Sequence, residues 1–175
     1  SDAVIEEKQK LTVTVEPNGS GKINAACSRG DIPAGKKNIA YKAAEAYFDR
    51  AGIKDRGVSI YIEKRIPSAA GLAGGSADAA AVIAGLDRIY ETSLTERQKL
   101  QTALCVGSDV PFCLTGGTKV VENVGDVIAE LPALEACYIV LAKPDCSVST
   151  AEAYADFDKA GHIYRPNRVL LLEKA

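Results

Sequence analysis

Methionine is absent from all 175 residues, and histidine occurs once, as His162. Average usage gives a chain of this length roughly a few methionines, and the first residue is Ser1. We therefore expect the sequence to be an incomplete view of a longer protein, shortened at its ends or within. The five cysteines (Cys27, Cys105, Cys113, Cys137 and Cys146) are an odd number, and no two form a C-x-x-C pair. With one histidine, that excludes the usual zinc patterns and a disulfide framework, and it fits a reducing compartment with cysteines serving as small buried hydrophobes. Long apolar runs are lacking too. No stretch reads as a membrane span or a signal peptide, so a cytoplasmic protein without a membrane partner is expected. Charge of one sign is also missing: the net charge is -2 and the pI about 5.5, which argues against a nucleic-acid partner. What remains is an ordinary globular composition, 47% hydrophobic and 25% charged, enough for one domain or one domain and part of another.

Hydrophobic alternation in "LTVTV" puts Leu11, Val13 and Val15 on one face of a strand. The turn cluster "EPNGSG" and the short strand "KINAACS" follow, predicting a hairpin over residues 11–28. Asn38 is placed to cap a helix starting at Ile39, with Ile39, Ala43, Ala44 and Tyr47 as its buried stripe and Gly52 at its end. "GVSIYIEKRI" is the clearest strand, with Val58, Ile60 and Ile62 facing one way. A helix with Val82, Leu86 and Ile89 on its inner face comes next. Another, capped by Ser93 or Thr95, ends near "CVG". Pro111 predicts an extended "SDVPF", because the residue before a proline is biased away from helix. "TKVVENV" and "ACYIVLAK" read as strands with "LPALEA" as a linker between them, and "STAE" as a capping box opening a last helix. Strands and helices without a regular βαβ rhythm favour an α+β fold.

Between the clear strand and the alanine-rich helix lies "PSAAGLAGGSADAAA", residues 67–81. A helix N-terminus offers unpaired N–H groups and a positive dipole end, and glycine lets backbone approach an anion closely. Gly71, Gly74 and Gly75 stand just upstream of the helix, with Ser76 able to cap it or contact phosphate. The pattern is neither a Walker A loop nor G-x-G-x-x-G. These residues alone suit a phosphate seat and a tight, close-packed strand–helix turn equally well.

Taken in order, "PSAAGLAGGSADAAA", "GSDVPFCLTGGT" and "AKPDCSVSTAEAY" resemble the GHMP small-molecule kinases. "GDIPAGKKNIAYKAA" and "VSIYIEKRIP" fit the same family, so the likeness runs from about Leu11 to Tyr154. It implies an α+β GHMP-kinase-like fold: an N-terminal domain like domain 2 of ribosomal protein S5 over residues 1–135, its first strands missing, and the start of a ferredoxin-like C-terminal domain over 136–175. It implies ATP with Mg²⁺, a small-molecule substrate (the cytidyl diphosphate ester of methylerythritol), and a monomer or homodimer. It also implies site residues. Pro67, Ala69, Ala70, Gly71, Leu72, Ala73, Gly74, Gly75, Ser76 and Asp78 would surround the ATP phosphates. Asn38 and Lys64 would lie near adenine and ribose, although a plain helix cap and a solvated strand-end charge explain them as well. Asp109 would be the general base, a role consistent with the need of phosphoryl transfer for alignment and one proton acceptor. Ser149 and Thr150 would border the cytidyl end and Tyr154 would stack on cytosine, against the rival of a core tyrosine.

The sequence also departs from the family. Its Lys-Ile-Asn motif precedes the strand resembling "LTVTV", so "GKIN" at residues 21–24 is a decoy and Lys22 is not the catalytic lysine. That segment and the third, glycine-rich motif are expected to lie outside this sequence, leaving an incomplete active site. Ala77 stands where a second serine is common. Asp78 would serve the helix dipole in the first turn or help hold Mg²⁺.

Overall fold

The computed structural model describes residues 11–66, 71–133, 135, 137, 138, 140 and 149–160. Chain contacts divide it into two compact units, residues 1–140 and 141–175. In the first, strands β1 (Thr12–Pro17), β2 (Ile23–Cys27) and β3 (Val58–Glu63) form a three-stranded sheet in the order β1-β3-β2. β3 runs antiparallel to β1, with Val15 opposite Ile60, and parallel to β2, with Ala25 opposite Ile60.

The hairpin expected over residues 11–28 does not form, because β3 lies between its two arms. Val58, Ile60 and Ile62 are at most 2% exposed on the inner face of β3, and both of its backbone edges are paired, one with β1 and one with β2. The Asn18 N–H donates to the Gly57 carbonyl at 2.8 Å, and its side-chain amide to Ser59 Oγ at 2.9 Å. The turn is thereby tied to the start of β3. A turn signature in the sequence marks the reversal of the chain but not a strand inserted from further along it.

Helix α1 (Ile39–Ala51) crosses from β2 to β3 and supplies the connection that parallel strands require. It begins at Asn38 and ends at Gly52, whose φ of 69° lies in the left-handed region that glycine tolerates. Helix α2 (Gly74–Tyr90) packs beside α1 and over β1. A Cβ at Gly85 would lie 3.2 Å from Val15 Cγ2, so the missing side chain lets helix and strand touch. Between the sheet and these helices lie Tyr47, Phe48, Ile62, Ile83 and Leu86, all fully buried. The Phe48 ring meets Tyr90 edge-on at 5.4 Å. Ile83 occupies the inner face where Ile89 was expected; Ile89 is 38% exposed on the last turn.

Helix α3 (Glu96–Val106) packs on α1, and α4 (Val110–Thr115) on α2 and α3. Thr95 caps α3 in a reciprocal box with Gln98. The extended "SDVPF" is corrected: Asp109 is helical (φ −89°, ψ −10°) and Pro111 sits in the first turn of α4. There the N–H that proline lacks has no helical partner to lose. Strands β4 (Lys119–Glu122) and β5 (Val127–Glu130) form a separate antiparallel pair; β5 was missed because its apolar run is short. Cys137, Tyr138 and Val140 of the expected strand "ACYIVLAK" are not in a strand. Cys105 and Cys137 are exposed, against the expectation of buried cysteines, while Cys27 and Cys113 are half-buried.

In the second unit, α5 (Thr150–Lys159) starts at Ser149, whose hydroxyl accepts from the Glu152 N–H at 3.4 Å. Among the described residues no helix is long and apolar enough to cross a membrane.

Candidate active site

The small-residue stretch enters α2 under strain. Pro67, Ala69 and Ala70 lie outside the described residues. Gly71 has φ +68°, and Ala73, the N-cap, has φ 49° and ψ 25°. An L-residue with a Cβ seldom adopts that left-handed conformation, and such strain clusters at functional sites. The first helical bond runs from the Ala77 N–H to the Ala73 carbonyl. The N–H groups of Gly74, Gly75 and Ser76 therefore stand ahead of the ladder, at the positive end of a 17-residue helix. Ala73 makes no side-chain cap bond.

Two neighbours lie against this end. A Cβ at Gly75 would lie 3.8 Å from Ile39 Cγ2, so the first turn of α1 is alongside. A Cβ at Gly74 would lie 3.1 Å from Ile66 Cγ2 and 3.2 Å from Lys64 Nζ. Lys64 is not a solvated strand-end charge: its side chain is 4% exposed and its ammonium pairs with Oδ2 of Asp78, whose side chain is 3% exposed. The other oxygen, Asp78 Oδ1, is buried without a hydrogen-bond partner among the described residues. Burial pushes the Asp78 carboxyl above its ordinary pKa, against the opposing pull of Lys64. Asp78 is the fifth helical residue rather than one of the first turn, which holds no acid. Its partner is Lys64, not the helix dipole.

Asn38 is 1% exposed. Its Oδ1 accepts from the Ala40 N–H at 2.9 Å and its Nδ2 donates to the Pro33 carbonyl at 2.9 Å, so it closes α1 and ties down the loop before it. Asp109 differs. It is the exposed N-cap of α4, and its carboxylate makes no cap bond. Gly125, at φ +96° in the β4–β5 turn, packs so tightly on the Ser108 carbonyl that a Cβ would lie 2.0 Å from it. The residue preceding Asp109 is thus braced by backbone. Lys22 is exposed in the turn before β2.

The structure brings Asn38, Lys64, Gly74, Gly75 and Asp78 into one neighbourhood through these contacts. Ser149 and Tyr154 belong to the second unit, where Tyr154 is 68% exposed. The side chain of Thr150 is outside the described residues. Sequence reasoning missed Ile39, Ile66 and Gly125 as supports, and also Ser28, whose Oγ accepts from the Lys64 N–H at 3.1 Å across 36 residues. No local pattern marks a contact of that range.

The α1, α3 and α5 N-caps are closed by side-chain bonds from Asn38, Thr95 and Ser149. The α2 and α4 caps are open. The open pair carries the small-residue loop and Asp109. Unpaired N–H groups beside a buried ammonium can bind an anion, and an uncommitted carboxylate can accept a proton.

Comparison with known proteins is consistent with this chemistry. Residues 38–117 match the model of the GHMP kinases N terminal domain. The 4-diphosphocytidyl-2-C-methyl-D-erythritol kinase of Alkaliphilus metalliredigens is 43% identical over 155 residues, covering 89% of this chain and 53% of that protein. The kinase of the same name from Gloeobacter violaceus is 47% identical over 148 residues, covering 84% and 49%. The chain spans about half the length of the curated relatives it matches. A crystal structure of 4-(cytidine 5'-diphospho)-2C-methyl-D-erythritol kinase superimposes with a TM-score of 0.58 at 36% identity, over 69% of this chain and 41% of that one. Homoserine kinase from Cytophaga hutchinsonii gives a TM-score of 0.64 at 17% identity, over 89% and 57%, a likeness of fold alone. With the α+β fold, the open helix end and these matches together, the chain belongs to the GHMP kinase family.

Proposed function

We propose that the protein transfers the γ-phosphoryl group of ATP to the 2-hydroxyl of 4-diphosphocytidyl-2-C-methyl-D-erythritol, a step in non-mevalonate isoprenoid synthesis. The observation that carries this reading is the open N-terminus of α2, its three leading N–H groups set against the Lys64 ammonium. In this reading residues 1–135 form the ATP-binding domain and 136–175 begin a second domain that carries substrate contacts. Residues 67–76 surround the phosphates, with Asp78 behind them on Lys64, and the Gly71–Ser76 backbone neutralises charge on the transferred group. Asn38 shapes the nucleotide side by holding the first turn of α1 beside Gly75. Asp109 accepts the proton of the attacking hydroxyl as the new O–P bond forms and ADP leaves. Ser149, Thr150 and Tyr154 engage the cytidyl end.

Mg²⁺ is the ordinary companion of ATP and would offset the charge of its phosphates. Among the described residues no three acids, cysteines or histidines are grouped to hold a metal. Asp78 is committed to Lys64, which leaves Ser76 as the donor nearest the loop. That set fits an ion brought in by the nucleotide and keeping several waters, as Mg²⁺ commonly does.

The test is phosphoryl transfer by the whole protein from ATP to a panel: the cytidyl diphosphate ester, homoserine, mevalonate and a hexose. Turnover confined to the cytidyl ester is expected. Turnover of homoserine instead would assign the protein to another branch of the family, and ATP binding without transfer to any acceptor would make it a binding module.

A further inference from the structure

The Lys64–Asp78 pair is poorly explained as a device for holding the fold together. Both side chains are buried, and one carboxylate oxygen has no donor among the described residues. Burying two charges costs much of what their attraction returns, and a buried acceptor left unpaired adds to that cost. Apolar side chains of similar volume would seal the same space at no loss, as they do beside it at Ile62 and Ala79. Yet this pair stands at the one place where charge matters to the open helix end. Lys64 is the first residue after β3, with its N–H donating to Ser28 Oγ, and its Nζ lies 3.2 Å from where a Gly74 Cβ would stand. Asp78 approaches the same ammonium from α2.

We propose that Asp78 is a positioning residue for the nucleotide: it holds the Lys64 ammonium under Gly74, where the buried charge strengthens the grip of the α2 N-terminus on phosphate. Asp78 acts through Lys64 and does not itself touch the ligand. A lysine free to swing would spend its charge in solvent, where screening weakens it. Held in place by a carboxylate behind it, the ammonium stays beside Gly74, the first residue of the helix. The unpartnered Oδ1 is the residue of that compromise, since Asp78 is aimed at Lys64 and not at the best hydrogen-bonding position for both of its oxygens. This inference rests on the reading of the loop as the ATP-phosphate seat.

The experiment is a double-mutant cycle in the whole protein, with ATP affinity measured by calorimetry and folding by thermal melting. Asp78→Asn and Lys64→Met are each expected to weaken ATP binding about tenfold or more. In the Lys64→Met background, Asp78→Asn is expected to change affinity less than about twofold, because the group it positions is gone. The doubly apolar variant Lys64→Met/Asp78→Leu removes both charges and is expected to melt at or above the wild-type temperature while still binding ATP weakly. That separates a role in binding from a role in folding. Wild-type affinity in the apolar variant, or equal losses from Asp78→Asn in both backgrounds, overturns the proposal while leaving the loop as the ATP site. A wild-type protein that binds no ATP overturns both.

Discussion

The two ends of α2 treat a carboxylate in opposite ways. At the far end, Asp87 Oδ1 accepts from the Thr92 hydroxyl at 3.0 Å and the Tyr47 hydroxyl at 3.2 Å, and its Oδ2 from Lys99 Nζ at 3.0 Å. Burial would raise its pKa, but these hydrogen bonds and the charge of Lys99 outweigh it and hold the carboxyl below its ordinary value. Each oxygen has a donor, and the network rivets α1, α2 and the start of α3. At the near end, Asp78 has one oxygen on Lys64 and the other without a partner among the described residues, and burial raises its pKa. Polar groups that serve the fold are satisfied; those at the near end are left open to something outside it. The caps follow the same division, closed at α1 and α3 and open at α2 and α4.

The largest effect should come from the open cap of α4. Asp109→Asn keeps the shape of the side chain and removes its capacity to take a proton. Turnover is expected to fall by a factor of about 10²–10⁴, with ATP affinity and melting temperature close to wild type. Undiminished turnover in steady-state assays would remove Asp109 from the role of base and leave its bare cap without a function.

A smaller effect tests the open cap of α2. Ala73→Asp places a carboxylate in the mouth of the proposed phosphate seat. Aspartate tolerates left-handed backbone better than alanine and suits a helix N-terminus. Stability should therefore hold or rise, while ATP affinity falls at least about tenfold, or ~1.4 kcal/mol. Affinity unchanged by that charge would mean the helix end faces no phosphate. Gly74→Val is a poorer probe, since its side chain would strike Ile66 and Lys64 and perturb the fold as well as the site.

Much of this architecture was legible in local sequence. The Asn38 and Gly52 boundaries of α1, the alternation of Val58, Ile60 and Ile62, and the entry of the small-residue loop into a helix all depend on residues close in the chain. What was not legible depends on distance along it. Nothing near Asn18 announces that β3 will separate β1 from β2, and the Ser28, Lys64 and Asp78 contacts join three segments. The open caps were harder to read: Ser76, offered as a cap for the helix, is its third residue, because α2 starts at Gly74 with Ala73 as its cap. Alanine at 73 signals a missing cap, whereas aspartate at 109 is a common capping residue, and only its bond pattern shows that the carboxylate is uncommitted.

The smallest effect sets the two aspartates against each other through pH. Asp87, with its folded pKa depressed, contributes stability that is present above the ordinary carboxylate value of about 3.9 and is lost as pH falls from there through the depressed folded value. Asp78, with its folded pKa raised, does the reverse: as pH climbs from the ordinary value toward the raised one, the unfolded chain releases its proton first and stability declines. Urea unfolding of the whole protein between about pH 3 and 6 should therefore show a shallower acid-side loss for Asp87→Asn, by roughly 1 kcal/mol. It should show a steeper one for Asp78→Asn, because the opposing contribution has been removed. Slopes that change in the same direction would mean that both carboxylates are satisfied alike, and the contrast between the ends of α2 would not hold. Opposite changes would place the carboxylate that serves the fold at Asp87 and leave Asp78 for the helix end beside it.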